Sequence, residues 1–347
     1  MFYGIAAAAT ALLATAALTA VLRRVALRTG VPGRRTTGRA GRRVPRLGGV
    51  AVAVVTAAVT TTGACTGLAP LGSDTLTLLL AAGAVALFGF VDDVRPLGAR
   101  PRIAVEAAAA SVVVHTAQLG FFVGALAVLW IVFVTNAGRL FDSFDGVFGT
   151  VAVVTALGLS GCAAAEGLDA PAVALGVLAA ALTGFLVHNW YPARIRLGSC
   201  GSLFTGFLLA SAAVLVNAGH EALPGAGSLF GATLVVTADL VLVTVSRKLA
   251  GRPLFRGGGD HIAHRLRRLG LTPQGVAVVL GVASLAGTVT GVLLHSGAVG
   301  PLAALGPVGL AVLGVVGLLR VPVYGVRGQR SRGRKVVSTA AIDLGSS

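Results

Sequence analysis

The sequence predicts an all-α, multi-pass integral membrane protein, and three observations lead there. Of the 347 residues, 55% are hydrophobic and only 12% charged, with a mean hydropathy of +0.89. A soluble domain of this length needs far more polar surface to cover its core, so the apolar excess must face lipid. Stretches of the roughly 20 apolar residues that a spanning helix requires then recur along the chain. Finally, the basic residues fall only in alternate connections between those stretches, which is the pattern a membrane imposes.

Eleven spans are expected, near residues 2–22, 47–70, 74–91, 103–118, 121–137, 147–165, 171–188, 203–220, 226–246, 273–296 and 300–320. The first has no basic run ahead of it and Arg23 and Arg24 behind it, which argues against a cleaved signal peptide and for an outward N-terminus. The fourth is the shortest. Gly and Ala throughout the spans suit close helix packing in a membrane. The segments after spans 1, 3, 5, 7, 9 and 11 hold all 28 Lys and Arg, while the opposite connections hold acids such as Asp74, Glu166, Asp169 and Glu221. Positive charge collects in cytosolic loops, so the expected topology is N-out and C-in, with the active site on the cytosolic face of the cell membrane. Residues 1–325 read as one membrane domain with five cytosolic loops, and 326–347 as a basic tail attracted to anionic headgroups.

Three classes of function recede on the same grounds. The net charge of +16 would suggest nucleic acid in a soluble protein, but the loops lack interleaved aromatics and no soluble domain is present. Cys65, Cys162 and Cys200 are far apart and have no disulfide or metal spacing. A transporter would carry its polar groups near the bilayer midplane, where only Asp239 is expected, as a functional or paired acid.

The polar residues that could carry chemistry gather in the cytosolic loops. Asp92 and Asp93 end the third span; paired carboxylates there suit Mg2+ or a proton, although a solvated helix end looks the same. Asp142 and Asp145 follow in the next loop at the helical spacing that puts both on one face. The fourth loop runs from Asn189 through Arg194 and Arg196 into Gly198-Ser199-Cys200-Gly201-Ser202, a helix start that reads as an anion site or a plain turn. In the fifth, His261 and His264 precede Arg265, Arg267 and Arg268, a cationic helical face for a pyrophosphate or for headgroups. The nine arginines of the first loop, which ends in Pro45-Arg46-Leu47-Gly48-Gly49, read chiefly as a headgroup surface. His115 and His295, at the outer ends of their spans, read as structural.

In this order the loops resemble the polyprenyl-phosphate N-acetylhexosamine-1-phosphate transferases, the family of the phospho-muramoyl-pentapeptide and undecaprenyl-phosphate N-acetylglucosamine-1-phosphate transferases. The likeness runs from PRLGG at Pro45 through VDDVRPLGAR at Val91, NAGRLFDSFDG at Asn136 and NWYPARIRLGSCGS at Asn189 to DHIAHRL at Asp260. Eleven spans with the N-terminus outside are most similar to the N-acetylglucosamine branch. The resemblance implies transfer of a sugar 1-phosphate from a UDP-sugar to a polyprenyl phosphate, releasing UMP, with Mg2+ as cofactor. It implies Asp92 and Asp93 as metal ligands or proton acceptors, Asp142 beside the nucleophile and Asp145 at the uracil. His261, His264 and Arg265 would hold the diphosphate, with Asn136, Asn189 and Arg196 also lining the substrate. The partners are then the UDP-sugar, the lipid phosphate and membrane lipids, with a second copy of the chain as a further candidate.

The chain departs from the family's pattern where the metal is expected. In place of MGDxGS it has Leu197-Gly198-Ser199-Cys200-Gly201-Ser202, so the expected aspartate ligand is Ser199, a neutral hydroxyl. Arg139 replaces the second asparagine of NAxNxxDGxDG, Ser143 replaces its first glycine, and Arg196 stands where an aromatic often flanks the base. Either Arg139 and Arg196 take over part of the metal's role, or catalysis is lost and a lipid- or nucleotide-binding relative remains.

Overall fold

The computed structural model describes residues 2–29, 44–67, 69–253 and 258–324. The basic tail at 326–347 and most of the first-loop arginines lie outside the described residues. The chain forms α1 (Phe2–Thr29), α2 (Gly48–Cys65), α3 (Gly72–Val94), α4 (Ala99–Thr116), α5 (Phe121–Phe141) and α6 (Val147–Ala165). It continues through α7 (Asp169–Asn189), α8 (Gly198–Val216), α9 (Ala222–Leu249), the short α10 (Ile262–Arg268), α11 (Pro273–His295), a 3-10 turn at Pro301–Ala304 and α12 (Leu305–Leu319). No strand occurs among the described residues.

Ten of these segments are long and apolar enough to cross a membrane. The eleventh expected span, α4, forms but falls short in hydropathy, because Arg100, Arg102 and Glu106 occupy its first half. It still traverses the bundle: the C-terminal ends of α3 and α5 meet through Asp92 and Arg139, so α4 must carry the chain away from that end before α5 returns. Its polar groups are affordable because Arg102 and Glu106 turn inward, 6% and 1% exposed, and bond Asn136 of α5 instead of lipid.

At the centre stands α8, every residue of which but Leu215 is buried in protein. Small residues let its neighbours approach closely: a side chain on Gly49 would meet the Gly201 backbone at 2.1 Å, so α2 and α8 cross with main chains in contact. At the periphery α12 has no buried residue, and Leu305, Leu310 and Leu313 point outward as lipid-facing side chains must.

Asp239 lies inside the candidate span α9, as the sequence places it, and it is paired, with His261 at 2.7 Å; α9 has 28 residues and runs on for ten beyond it. At about 1.5 Å per residue, Asp239 lies roughly 25 Å from the helix start, and the last ten residues project about 15 Å further. The acid therefore sits at the same end of the bundle as the candidate site.

Candidate functional site at one end of the bundle

Helix ends from across the sequence converge here because odd-numbered spans finish, and even-numbered spans begin, on the same side. Asp92 and Asp93, adjacent on α3, point about 100° apart and do different work. Asp92, 7% exposed, accepts from Leu97 N–H (2.8 Å), from the Ser199 hydroxyl (2.9 Å) and from the Arg139 guanidinium (2.8 Å). Asp93 accepts from the backbone N–H groups of Ser199 and Cys200, both at 2.9 Å, and so caps the first turn of α8. The helix start expected as an anion site is thus already held by the protein's own carboxylate. Gly198 is required at that turn: its φ is +77°, and a side chain would strike Arg46 O at 2.4 Å and Asp93 Oδ2 at 2.7 Å.

Asp142 joins this cluster from the end of α5. It accepts from Gly198 N–H and lies within the fields of Arg196, Arg46 and Asp93. Burial is the largest influence and pushes its carboxyl up to about 7, against the pull of the two arginines. Asp145, three residues on, pairs with Arg196 at 3.1 Å and accepts from Ala193 N–H at 3.2 Å. Arg139 and Arg196 remain about a quarter exposed, so both guanidiniums border solvent as well as their carboxylates.

The α9–α10 flank completes the rim. His261 Nδ1 lies 2.7 Å from Asp239 Oδ2, and Ile262 N–H donates to the other oxygen at 2.7 Å. Asp260 takes a bidentate pair from Arg247 (2.7 and 2.8 Å) and the Tyr324 hydroxyl (2.7 Å). Burial works to raise the Asp260 carboxyl, but those hydrogen bonds outweigh it and hold it at about 2. His264 bridges the two flanks: its ring packs edge-on to Phe144 at 5.5 Å and lies 6.2 Å from the His261 ring, within the field of Arg196. Burial, then His261, lowers its affinity for a proton, so a neutral imidazole faces the site.

Some expected residues are held by hydrogen bonds to the protein itself. Asn189 is buried and ties its loop together, accepting from Gly146 N–H (3.0 Å) and donating to Ile195 O (2.9 Å). Asn136 donates to Glu106 and accepts from Arg102 at 3.3 Å, behind the site. Arg265, 1% exposed, donates to the carbonyls of Asp260, Leu318 and Val321 and to the Ser246 hydroxyl, leaving one of its five N–H groups. The expected cationic face of α10 therefore splits: Arg265 and Arg268 fasten the helix to the segment 318–323, and only the histidines turn toward the site. Missed by the motifs were Arg102, Glu106, Arg247, Ser246 and Tyr324. Each is an ordinary residue in its own segment and gains its role only by meeting a distant partner.

Mg2+ prefers near-octahedral oxygen ligands, several of them charged. The arrangement does not fit it at Asp92, Asp93 and Ser199. Every oxygen of the two aspartates already accepts a hydrogen bond, a guanidinium sits where a dication would have to approach Asp92, and Ser199 offers only a hydroxyl that donates to the same carboxylate.

Comparison with known proteins points one way. A family model described as Glycosyl transferase family 4 matches residues 75–217. A protein of Streptomyces coelicolor, provisionally named a glycosyltransferase, is 57% identical over 329 residues, covering 94% of this chain and 79% of its own. A provisionally named undecaprenyl-phosphate N-acetylglucosaminyl 1-phosphate transferase of Bacillus subtilis is 26% identical over 313 residues, 82% of this chain and 83% of its own. The decaprenyl-phosphate N-acetylglucosaminephosphotransferase of Mycobacterium tuberculosis is 31% identical over 240 residues, 58% of this chain and 59% of its own.

Proposed function

The chain belongs to glycosyl transferase family 4, the polyprenyl-phosphate N-acetylhexosamine-1-phosphate transferases, and from that premise we propose that it moves an N-acetylhexosamine 1-phosphate from a UDP-sugar to a polyprenyl phosphate at the cytosolic face of the membrane. An oxygen of the lipid phosphate attacks the sugar-linked phosphorus of the UDP-sugar. The bond from that phosphorus to the bridging oxygen breaks, UMP leaves, and a lipid diphosphate sugar remains. The reaction brings two anions together, so its main demand is positive charge held in the right place.

The observation that supports this reading is the convergence of Asp92, Asp142, Arg139, Arg196, Arg46 and His264 from separate loops at one end of the bundle. Asp142 is the group suited to take a proton from a monoprotonated lipid phosphate, since its raised value lies close to that phosphate's own second ionisation, about 6. Arg139 and Arg196, about a quarter exposed, receive the diphosphate, and the Asp145 loop forms the nucleoside side. The family's reaction is generally Mg2+-dependent, and bound Mg2+ supplies charge neutralisation. In this chain Arg139 supplies that charge beside Asp92. Loss of turnover with retained nucleotide binding is the second reading, and the Ser199 and Arg139 replacements favour it.

The test is UMP release from purified protein given UDP-N-acetylglucosamine and undecaprenyl phosphate, with and without Mg2+. We expect UMP from the natural chain and none above background from Asp142→Asn. The double variant Arg139→Asn, Ser199→Asp should make release strictly Mg2+-dependent. UMP from the double variant alone would establish the second reading, and UMP from neither, with no UDP-sugar bound by the natural chain, would overturn both.

A further inference from the structure

The far end of the bundle holds a second polar cluster that takes no part in the proposed transfer. Glu166 follows α6, His220 lies in the turn ahead of α9, and His295 ends α11; each of these helices has its other end at the transferase site. Glu166 Oε1 lies 3.3 Å from His220 Nε2 and 3.2 Å from His295 Nε2, and all three atoms lie within 4.8 Å of one another. Ligand atoms at about 2.05 Å from a tetrahedral zinc stand about 3.3 Å apart, so two of the three separations already have the required length.

The hydrogen bonding behind His295 decides what its ring offers. Asn217 donates through Nδ2 to Ala213 O at 2.8 Å, which leaves its Oδ1 as the acceptor facing His295 Nδ1 at 3.2 Å. The proton of the neutral ring is thereby held on Nδ1, and Nε2 presents a lone pair. That Nε2, in a side chain only 1% exposed, has no hydrogen-bond donor and confronts the Glu166 oxygen, itself an acceptor. Two facing acceptors need a proton or a metal ion between them. His220 brings a third ring nitrogen to the same oxygen, its ring stacked on His295 with centroids 4.4 Å apart, and the exposed Glu166 leaves one side open for water.

We infer that Glu166, His220 and His295 form a binding site for one Zn2+ ion, with water in the fourth position and Asn217 positioning His295. Two imidazoles and one carboxylate select zinc over magnesium, which prefers oxygen alone. The surroundings favour a cation too, because the turns at this end carry Glu221 and Asp169 and no Lys or Arg. The ion would pin α6, α9 and α11 together at the end remote from the transferase site.

The experiment is zinc titration of the purified full-length chain against a chromophoric chelator, with thermal unfolding followed in parallel. The expected result is one zinc per chain and a higher unfolding midpoint on zinc addition. Glu166→Gln, at an exposed side chain that tolerates replacement, and His220→Ala should each weaken binding at least tenfold and abolish the thermal shift. Asn217→Ala should weaken it about 10–100-fold, as outer partners of a ligating histidine do. Asp92→Asn should leave zinc affinity unchanged. Failure of the natural chain to bind zinc at micromolar concentration overturns the site, as does zinc binding that survives both ligand variants or is lost equally in Asp92→Asn. UMP release plays no part in the readout, so the result stands apart from the fate of the transferase reading.

Discussion

On the α9–α10 flank of the site, Asp260, Arg247, Tyr324, Arg265 and Ser246 satisfy one another, and the central pair of Arg247 and Asp260 is 3% exposed on each side. On the opposite flank, Arg139 and Arg196 remain about a quarter exposed, and burial strains the Asp142 carboxyl toward its neutral form. One flank spends its charges on holding a short helix in place. The other keeps charges that a ligand can still recruit, because a guanidinium open to solvent has donors left for a phosphate while it holds its own carboxylate. Fixed geometry beside available charge is what an anionic transfer reaction requires of a site.

The largest effect that separates the flanks is on stability. Arg247→Ala leaves Asp260 buried without its partner and should cost about 3–5 kcal/mol, read as a lowered unfolding midpoint in detergent. Equal loss from Arg196→Ala would erase the distinction. Next comes Asp142→Asn, which should keep the midpoint near that of the natural chain while lowering UMP release by about 100-fold or more.

The same residue sharpens the contrast through pH. Its folded value is raised, so the carboxylate appears only as pH climbs through about 7. Turnover should rise across that window and level off above it, and the rise should vanish in Asp142→Asn. A profile that stays flat from pH 6 to pH 8, roughly the window around that value, would remove Asp142 from the proton's path. On stability the sign is opposite: a buried carboxyl with a raised value favours the folded state most at low pH, and that contribution fades as pH rises toward 7.

The smallest expected effect belongs to Arg265→Lys. An ammonium cannot reproduce a fork that reaches Leu318, Val321 and Asp260 at once, so about 1–3 kcal/mol of stability should go, with KM for the UDP-sugar unchanged. A raised KM with unchanged midpoint would return Arg265 to the diphosphate.

The helices were legible because a bilayer imposes length and hydropathy directly on the sequence. Even α4, marginal by hydropathy, follows from the alternation of the basic residues. Asp92, Asp142 and His264 were legible as a set because their segments share a compartment. Their division of labour was not. Nothing local to Asp93 says that its oxygens cap α8, nor does the Arg265 segment disclose the carbonyls near residue 320. Asp239 was legible as a paired acid within α9, but not its partner, since nothing local to it points to His261 across 22 residues.

The setting of α8 has a consequence for how the protein meets different membranes. Since that helix is sheathed by protein on nearly every side, changes in bilayer thickness act first on α1 and α12, which tilt or shift against the lipid. Ser199, Cys200 and Gly198 ride on an inner post fastened to α2 by backbone contact and to α3 by the Asp93 cap. Their alignment should therefore be insensitive to acyl-chain length, leaving the lipid substrate's own delivery as the step that membrane composition governs.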